Sequence, residues 1–261
     1  MIGFFDSGVG GLTVWREVNK RIPQFSTVYF GDNKNAPYGD LSKEEILKLT
    51  KKGVEFLWGH GASLVILACN TASAIALPYI QNNLPHGKKV LGIITPTVEV
   101  LSSLSADNIG ILATIATVQS KIYEQKLAEN KCLSRITAHA CPSWVMLAET
   151  GQKKRATKII ASDVSRLLEK SGRPDVVLLA CTHYPVFYNE VIANLPAGIK
   201  VLSQGELVAD KLIEYISRHQ ELSFDRQGEH LFYTSGDPIA VENIAAGIIA
   251  EPIRFKKAEL D

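Results

Sequence analysis

Cysteine is scarce in this chain, with only four cysteines in 261 residues. They form no C-x-x-C pair and no Cys/His cluster with zinc spacing, which argues against a disulfide framework and against a metal site. This cysteine usage is typical of a reducing compartment, so we expect a cytoplasmic protein. The chain has no excess of either charge, with 28 Lys and Arg against 27 Asp and Glu. A nucleic-acid partner is therefore not expected.

Long apolar runs and nucleotide-binding motifs are also missing. No apolar run approaches the ~20 residues of a membrane span, and MIGFFDSG lacks the basic region and cleavage site of an export signal. GVGG begins like a phosphate loop, but Thr13 stands where G-x-G-x-x-G requires its third glycine. We therefore expect neither a membrane partner nor a bound nucleotide.

Short apolar strands alternate with amphipathic helices along the chain. The predicted strands are MIGFF, STVYFGD, SLVILA, KVLGII, NIGILA, RITAHA, DVVLLA, KVLS and, as the last, HLFYTSG. Single helices are predicted for NTASAIALPYIQNNL and near VQSKIYEQKLAEN. Ser42 and Glu45 have the spacing of a capping box at another helix start. This alternation predicts an α/β fold of parallel βα units.

A weak internal repeat divides the chain into two halves. IGFFDS (residues 2–7) resembles IGILAT (residues 109–114), and Leu-Ala-Cys occurs at residues 67–69 and again at 179–181. The two matches fall in the same order and at nearly the same separation. We therefore expect two pseudo-symmetric, doubly wound parallel-sheet domains.

Two of the cysteines, Cys69 and Cys181, each follow an apolar strand directly. Ligands of open parallel sheets bind beyond the carboxyl ends of the strands, so facing halves would bring two thiols to opposite sides of one small ligand. A helix N-terminus after each cysteine is expected to lower the thiol pKa from ~8.5 toward neutrality. Two such thiols suit inversion of a carbon stereocentre, one acting as base and the other as acid. Cys132 and Cys141 are expected to be core residues.

Proton transfer alone is insufficient for this chemistry, because general acid/base catalysis contributes only ~10²–10⁴-fold. Preorganised donors must also stabilise the charge that develops on a carboxylate. Asn70, Thr71 and Thr182 adjoin the two cysteines and can supply such donors. Asp6 ends the first strand ahead of a glycine-rich segment, which makes it a further site candidate.

Five segments together resemble the cofactor-independent glutamate racemases of the aspartate/glutamate racemase superfamily. They are FFDSGVGGLTV, YFGDNKNAPYGD, ILACNTASA, LAETG and LLACTHYP, and they span nearly the whole chain. The resemblance implies interconversion of L- and D-glutamate for peptidoglycan, without a metal or other cofactor. It implies an active site between two domains, one of residues 1–95 plus 208–261 and the other of residues 96–207. It also implies that a homodimer is one assembly state.

The resemblance assigns roles to individual residues. Cys69 would serve D-glutamate and Cys181 would serve L-glutamate as the proton carriers. Asp6 would support proton transfer at Cys69, His183 would assist Cys181, and Glu149 matches the acidic residue of the second half's site. The residues expected to bind substrate are Asp6, Ser7, Pro37, Tyr38, Gly39, Asn70, Thr71, Thr114, Thr117, Thr182 and His183.

The chain departs from the family pattern at two places. Ser203-Gln204-Gly205 replaces the usual Asp-Ser-Gly or His-Ser-Gly, and Thr97 stands where a small residue is commoner. The role of the Ser203-Gln204-Gly205 segment stays open at this point.

Three other functions compete with a glutamate racemase. An aspartate racemase of the same superfamily is the nearest, although CTHYP favours glutamate because aspartate enzymes commonly follow the second cysteine with Thr-Glu. A cysteine hydrolase would use Cys181 as nucleophile and His183 as base. It leaves Cys69 unexplained, and a separation of two residues is expected to give a poor pair geometry. A non-catalytic two-lobed amino-acid binding protein would tolerate loss of either thiol.

Overall fold

The computed structural model describes residues 1–219 and 221–259, which form two parallel β-sheets with helices on both sides. The strands are β1 (Ile2–Asp6), β2 (Thr27–Gly31), β3 (Leu64–Leu67), β4 (Lys89–Gly92), β5 (Asn108–Ala113), β6 (Arg135–Ala140), β7 (Val176–Ala180), β8 (Lys200–Ser203), β9 (His230–Thr234) and β10 (Phe255–Lys257). The helices are α1 (Leu12–Arg21), α2 (Lys43–Gly59), α3 (Asn70–Ile75), α4 (Leu77–Asn82), α5 (Ile94–Ser103), α6 (Ile115–Ser120), α7 (Ile122–Glu129), α8 (Ser143–Glu149), α9 (Lys153–Ser171), α10 (Tyr188–Asn194), α11 (Gln204–Arg218) and α12 (Pro238–Ala245). The predicted α/β class with two parallel sheets is confirmed.

The two sheets share one strand order. The first sheet runs β10-β9-β2-β1-β3-β4 and the second runs β6-β5-β7-β8, so β2-β1-β3-β4 corresponds strand by strand to β6-β5-β7-β8. Phe5 of β1 lies opposite Leu67 of β3, while Ala113 of β5 lies opposite Ala180 of β7. Cys69 and Cys181 therefore follow equivalent strands of two equivalent sheets.

The C-terminal strands complete the first sheet. β9 pairs with β2, β10 pairs with β9, and α11 packs against α1. On this basis we propose the division into residues 1–95 plus 208–261 and residues 96–207. Within that division, positions 220, 260 and 261 lie outside the described residues.

Several elements differ from the sequence prediction. NTASAIALPYIQNNL forms two helices, because Pro78 in the first turn of α4 has no N–H to continue the ladder of α3. The helix near VQSKIYEQKLAEN divides into α6 and α7 at Lys121, whose φ of 53° is left-handed. HLFYTSG is not the last strand, because the short β10 lies beyond it. The capping box of Ser42 and Glu45 is confirmed.

Apolar side chains fill both faces of each sheet, as expected for strands that are apolar throughout. This leaves the polar strand ends at the sheet edges as the place for a site. Within the part of the chain that the structure describes, no helix has the length and apolar composition needed to cross a bilayer.

Candidate active site

The carboxyl ends of four strands hold the central residues of the predicted site. Asp6 ends β1, Thr114 follows β5 directly, and Cys69 and Cys181 come just after β3 and β7. All four side chains are buried, although Cys69 keeps 5% of its surface exposed and Cys181 keeps 6%. Equivalent strand ends from both sheets therefore contribute to one group of residues.

A continuous run of contacts joins the two cysteines across the domain boundary. The Cys69 Sγ donates to the Ser7 Oγ at 3.5 Å, and Ser7 adjoins Asp6. The Asp6 Oδ2 accepts from the Thr182 Oγ1 at 3.0 Å, and Thr182 adjoins Cys181. The charge of Cys181 also raises the pKa of Cys69, so the two sulfurs lie within electrostatic range. The two halves of the chain therefore meet at these residues, as predicted.

The Cys69 thiol does not have the lowered pKa expected from its place at a helix start. Burial, followed by the negative charge of Asp6, raises its pKa to about 12. The sulfur does cap α3, accepting from the Ala72 N–H at 3.5 Å, and this contact acts in the opposite direction. The expectation was wrong for Cys69 because desolvation of a thiolate outweighs one weak N–H contact.

Cys181 has a different partner, the imidazole of His183. His183 Nδ1 lies 3.9 Å from the Cys181 Sγ, and its Nε2 lies 2.6 Å from the Glu149 Oε1. Burial lowers the pKa of His183, but hydrogen bonds to Cys181 and Glu149 and their charges raise it well above its usual value. Burial raises the pKa of Glu149, and the hydrogen bond and charge of His183 more than offset this and lower it. A positively charged imidazole paired with a carboxylate therefore lies beside the Cys181 sulfur.

The expected poor geometry of a Cys181–His183 pair is a prediction that the structure contradicts. The turn after β7 folds back so that the His183 ring reaches the sulfur of Cys181 two residues earlier. Glu149 then orients the ring from the other side. The short separation of Cys181 and His183 in the sequence is therefore no argument against a cysteine hydrolase. The argument against it is the second thiol, Cys69, for which a hydrolase has no role.

Asp6 connects the halves more directly than expected. Its carboxylate accepts from the Gly8 N–H at 2.9 Å and from Thr182 at 3.0 Å, so its direct partners are its own loop and the Cys181 loop. Burial raises the pKa of Asp6, and the charge of His183 partly opposes this. Asp6 raises the pKa of Cys69 through its negative charge.

The glycines after Asp6 allow the first domain to lie directly on the His183–Glu149 pair. A β-carbon at Gly8 would collide with the Glu149 Oε1, and one at Gly10 would come within 2.5 Å of the His183 Nδ1. The intervening Val9 N–H donates to the Glu149 Oε1 at 3.0 Å. The glycines of GVGG thus allow the backbone of this loop to approach the His183 and Glu149 side chains closely.

The Pro37-Tyr38-Gly39 segment reaches the second domain at Thr114. Tyr38 begins a short 3₁₀-helix, and a β-carbon at Gly39 would lie 2.9 Å from the Thr114 Cβ. The Tyr38 hydroxyl donates to the Asp32 Oδ2 at 2.6 Å. That proton is therefore used within the protein.

The predicted threonines also meet across the two domains. The Thr71 Oγ1 lies 3.0 Å from the Thr114 Oγ1, which donates to the Thr117 Oγ1 at 3.0 Å. All three residues are buried. These hydroxyls form a second polar bridge between the halves, beside the one through Asp6.

Two site residues were missed by the sequence reasoning, although both directly follow strand β2. The Asn33 Nδ2 donates to the Glu149 Oε2 at 3.2 Å, and the Asn33 Oδ1 accepts from the Thr234 Oγ1 at 2.8 Å. Asp32 is fully buried and binds the Tyr38 hydroxyl. The strand-end rule that selected Cys69 and Cys181 would have selected this pair as well.

A second cluster of His139, Cys141 and Asp163 lies buried in the second domain, with ligand atoms within 4.8 Å of one another. The Lys170 Nζ lies 3.3 Å from the His139 Nδ1, so Nδ1 accepts and the ring proton sits on Nε2. That Nε2 donates to the Asp163 Oδ1 at 3.1 Å, and Trp144 donates to the other oxygen at 2.8 Å. These bonds occupy both ring nitrogens of His139, so that ring has no free lone pair for a metal. Cys141 is a core residue as expected.

The fold and site define a class: a two-domain α/β protein in which one thiol from each domain joins a shared polar network at the carboxyl ends of the two sheets. Residues 13–212 match the family model described as Asp/Glu/Hydantoin racemase. The chain belongs to the Asp/Glu/hydantoin racemase family. A glutamate racemase of Dinoroseobacter shibae is 37% identical over 99% of this chain and 98% of its own.

Solved structures agree with this assignment. A glutamate racemase isoform of Bacillus anthracis superposes with a TM-score of 0.92 at 31% identity, covering 100% of this chain and 97% of its own. A glutamate racemase of Francisella tularensis, solved in complex with D-glutamate, superposes with a TM-score of 0.90 at 25% identity and the same coverage.

Proposed function

We propose that this protein is a glutamate racemase that moves a proton at the α-carbon of glutamate between Cys69 and Cys181. The observation that carries the proposal is the run of contacts from Cys69 through Ser7, Asp6 and Thr182 to Cys181. Full-length similarity to glutamate racemases, one of them solved with D-glutamate, supports glutamate as the substrate.

Each half-reaction moves one proton. From L-glutamate, the Cys181 thiolate removes the α-proton and becomes a thiol, while the Cys69 thiol delivers its proton to the opposite face and becomes a thiolate. The reverse direction exchanges these roles. Before another L to D turnover, Cys181 releases its proton to water and Cys69 takes one up, so there is no net consumption of acid or base. Negative charge passes onto the α-carboxylate during the transfer, and the buried donors around the thiols stabilise it.

The two thiols have unlike surroundings, which sets the starting state of the site. Burial and Asp6 keep Cys69 protonated, with a pKa of about 12. The protonated His183 ring lies 3.9 Å from the Cys181 sulfur. The proposed L to D direction requires a base at Cys181 and an acid at Cys69, and the pKa of Cys69 fits the second requirement.

The proposed binding residues come from both domains and lie on both sides of the boundary between them. We propose that Asn70, Thr71 and Thr182 hold the α-amino and α-carboxylate groups, and that Thr114 and Thr117 meet the side-chain carboxylate. We further propose contacts from Asp6, Ser7 and His183 and from the backbone of Pro37, Tyr38 and Gly39. The buried threonine hydroxyls at the domain boundary support this assignment.

The cellular setting follows from the chemistry. Two reduced thiols are needed for every turnover, and all four cysteines are free, which fits a cytoplasmic enzyme. We propose that its D-glutamate supplies peptidoglycan synthesis. A homodimer stays a prediction, which a molecular-mass measurement in solution would test.

The direct test is formation of D-glutamate from L-glutamate by the purified protein. We expect steady turnover with glutamate and at least about 100-fold lower kcat/KM with L-aspartate, since a shorter side chain cannot fill the polar contacts of the site. Chelator and hydroxylamine should leave the rate unchanged. Preference for aspartate would favour the aspartate racemase, and glutamate binding without turnover would favour the binding protein.

A further inference from the structure

The segment Ser203-Gln204-Gly205, whose role the sequence leaves open, places a buried glutamine beside the active site. Gln204 is the first residue of α11 and is only 3% exposed. Its Oε1 accepts from the Asn70 Nδ2 at 2.6 Å. Asn70 adjoins Cys69 and is one of the proposed substrate-binding residues, so Gln204 contacts the site through this one side chain.

Four side chains close this contact into a buried network, which we call the Gln204 cage: Asn70, Thr97, Tyr123 and Gln204. The Gln204 Nε2 donates to the Tyr123 hydroxyl and to the Thr97 Oγ1, both at 2.9 Å. The Tyr123 hydroxyl in turn donates to the Asn70 Oδ1 at 2.6 Å. All four residues are at most 3% exposed, so water does not compete for these bonds.

Thr97 fixes the direction of every bond in the cage. Its hydroxyl lies 2.7 Å from the Ile93 carbonyl, which can only accept, so the Thr97 proton is donated there. Thr97 therefore accepts from Gln204, and the Gln204 amide must point its NH₂ group toward Thr97 and Tyr123. Its oxygen is then left for the Asn70 NH₂ group.

The orientation of Asn70 follows from that of Gln204. The Asn70 oxygen is used by Tyr123 and one N–H is used by Gln204. Among the described residues, the second N–H has no partner. Asn70 can thus offer a ligand one free N–H donor, which suits a carboxylate, while its oxygen already accepts from Tyr123.

We propose that Thr97, acting through Gln204, is a positioning residue that holds the Asn70 amide ready to donate to a carboxylate of the substrate. This proposal rests on the proposed function, because it presumes a carboxylate ligand beside Cys69. It also accounts for both departures from the family pattern at once, since Thr97 and Gln204 are bonded to each other.

The test compares Thr97→Val with Thr97→Ser. Valine keeps the shape of the side chain but leaves one Gln204 N–H without an acceptor. This favours an arrangement in which the Gln204 and Asn70 amides are both flipped, so that the Asn70 oxygen faces the ligand. We expect KM for glutamate to rise about tenfold, since an orphaned buried N–H shifts the populations by that order. Serine keeps the hydroxyl and should keep KM at the wild-type value.

Gln204→Met is the second variant, because it removes the three hydrogen bonds that Gln204 makes in the cage. It should raise KM by at least as much as Thr97→Val, and the double variant should be no worse than Gln204→Met alone. Thr50→Val is the matched control: Thr50 is fully buried too, but its hydroxyl has no partner among the described residues. Its KM should not change.

The outcomes separate the proposals. A loss of folded enzyme lowers kcat and leaves KM alone, so unchanged KM in both Thr97→Val and Gln204→Met would overturn the positioning role. A raised KM in Thr97→Ser would do the same. A wild-type protein that does not racemise glutamate would instead overturn the proposed function. Raised KM in Thr97→Val and Gln204→Met, with Thr97→Ser and Thr50→Val normal, supports the positioning role.

Discussion

Replacing either active-site cysteine by serine is expected to lower kcat/KM at least about 100-fold, because general acid/base catalysis contributes ~10²–10⁴-fold. A serine hydroxyl is a far weaker acid than a thiol and cannot serve as the base near neutral pH. In the proposed mechanism both thiols act in every turnover, Cys69 on one face of the α-carbon and Cys181 on the other. Loss of either one therefore blocks the whole reaction.

The loss should be the same in both directions for each variant. L- and D-glutamate have equal free energies in water, so the equilibrium constant is one and kcat/KM must match in the two directions. Coupled assays started from each enantiomer would measure this. Cys132→Ser is the control, since Cys132 lies outside the site and is half-buried. A near-normal rate in Cys69→Ser or Cys181→Ser would refute the assignment of two proton carriers.

Glu149→Gln is expected to lower kcat/KM about 100-fold at mildly alkaline pH, the scale of a lost general acid/base contribution. The change keeps the size of the side chain but removes its charge. Burial already lowers the pKa of His183, and the hydrogen bond and charge of Glu149 are among the interactions that raise it. Without that charge the imidazole becomes neutral at lower pH, and Cys181 loses the cation beside it.

The direction of the change in the His183 pKa can be read from the pH dependence of kcat/KM. Activity that depends on a protonated His183 is full below its pKa and falls as the pH rises through it. Because the change lowers that pKa, the alkaline fall in kcat/KM should move to lower pH. Titration of His183 by NMR should show the same shift. Glu44→Gln, on the exposed face of α2, should leave both profiles as in the wild type. If the alkaline fall in kcat/KM stays at the same pH in Glu149→Gln, the His183–Glu149 pair does not control Cys181.

The sequence was sufficient for those features that depend on local pattern. Apolar strands followed by Cys69 and Cys181 predict the place of the proposed site, because the carboxyl ends of parallel strands share one edge. The repeat anticipated the matching strand orders of the two sheets. A capping box needs only Ser42 and Glu45 and was recognised for the same reason.

Features that depend on distant contacts could not be predicted in this way. The pKa of Cys69 is raised by burial and by Asp6, neither of which its helix-start position reveals. Gln204 meets Asn70 across 134 positions of the chain, so no local spacing signals their bond. Strand β10 is three residues long and has two exposed lysines, which gives no apolar pattern to detect.

The central claim is that two sulfurs flank one α-carbon, and racemisation of L-glutamate in deuterated water tests it most directly. At early times, NMR should show one deuteron at the α-carbon of nearly every D-glutamate formed, delivered from the exchanged Cys69 thiol. The remaining L-glutamate should still carry its original proton, because Cys181 removes that proton and does not return it. D-glutamate without deuterium, or L-glutamate labelled as fast as product forms, would contradict the account.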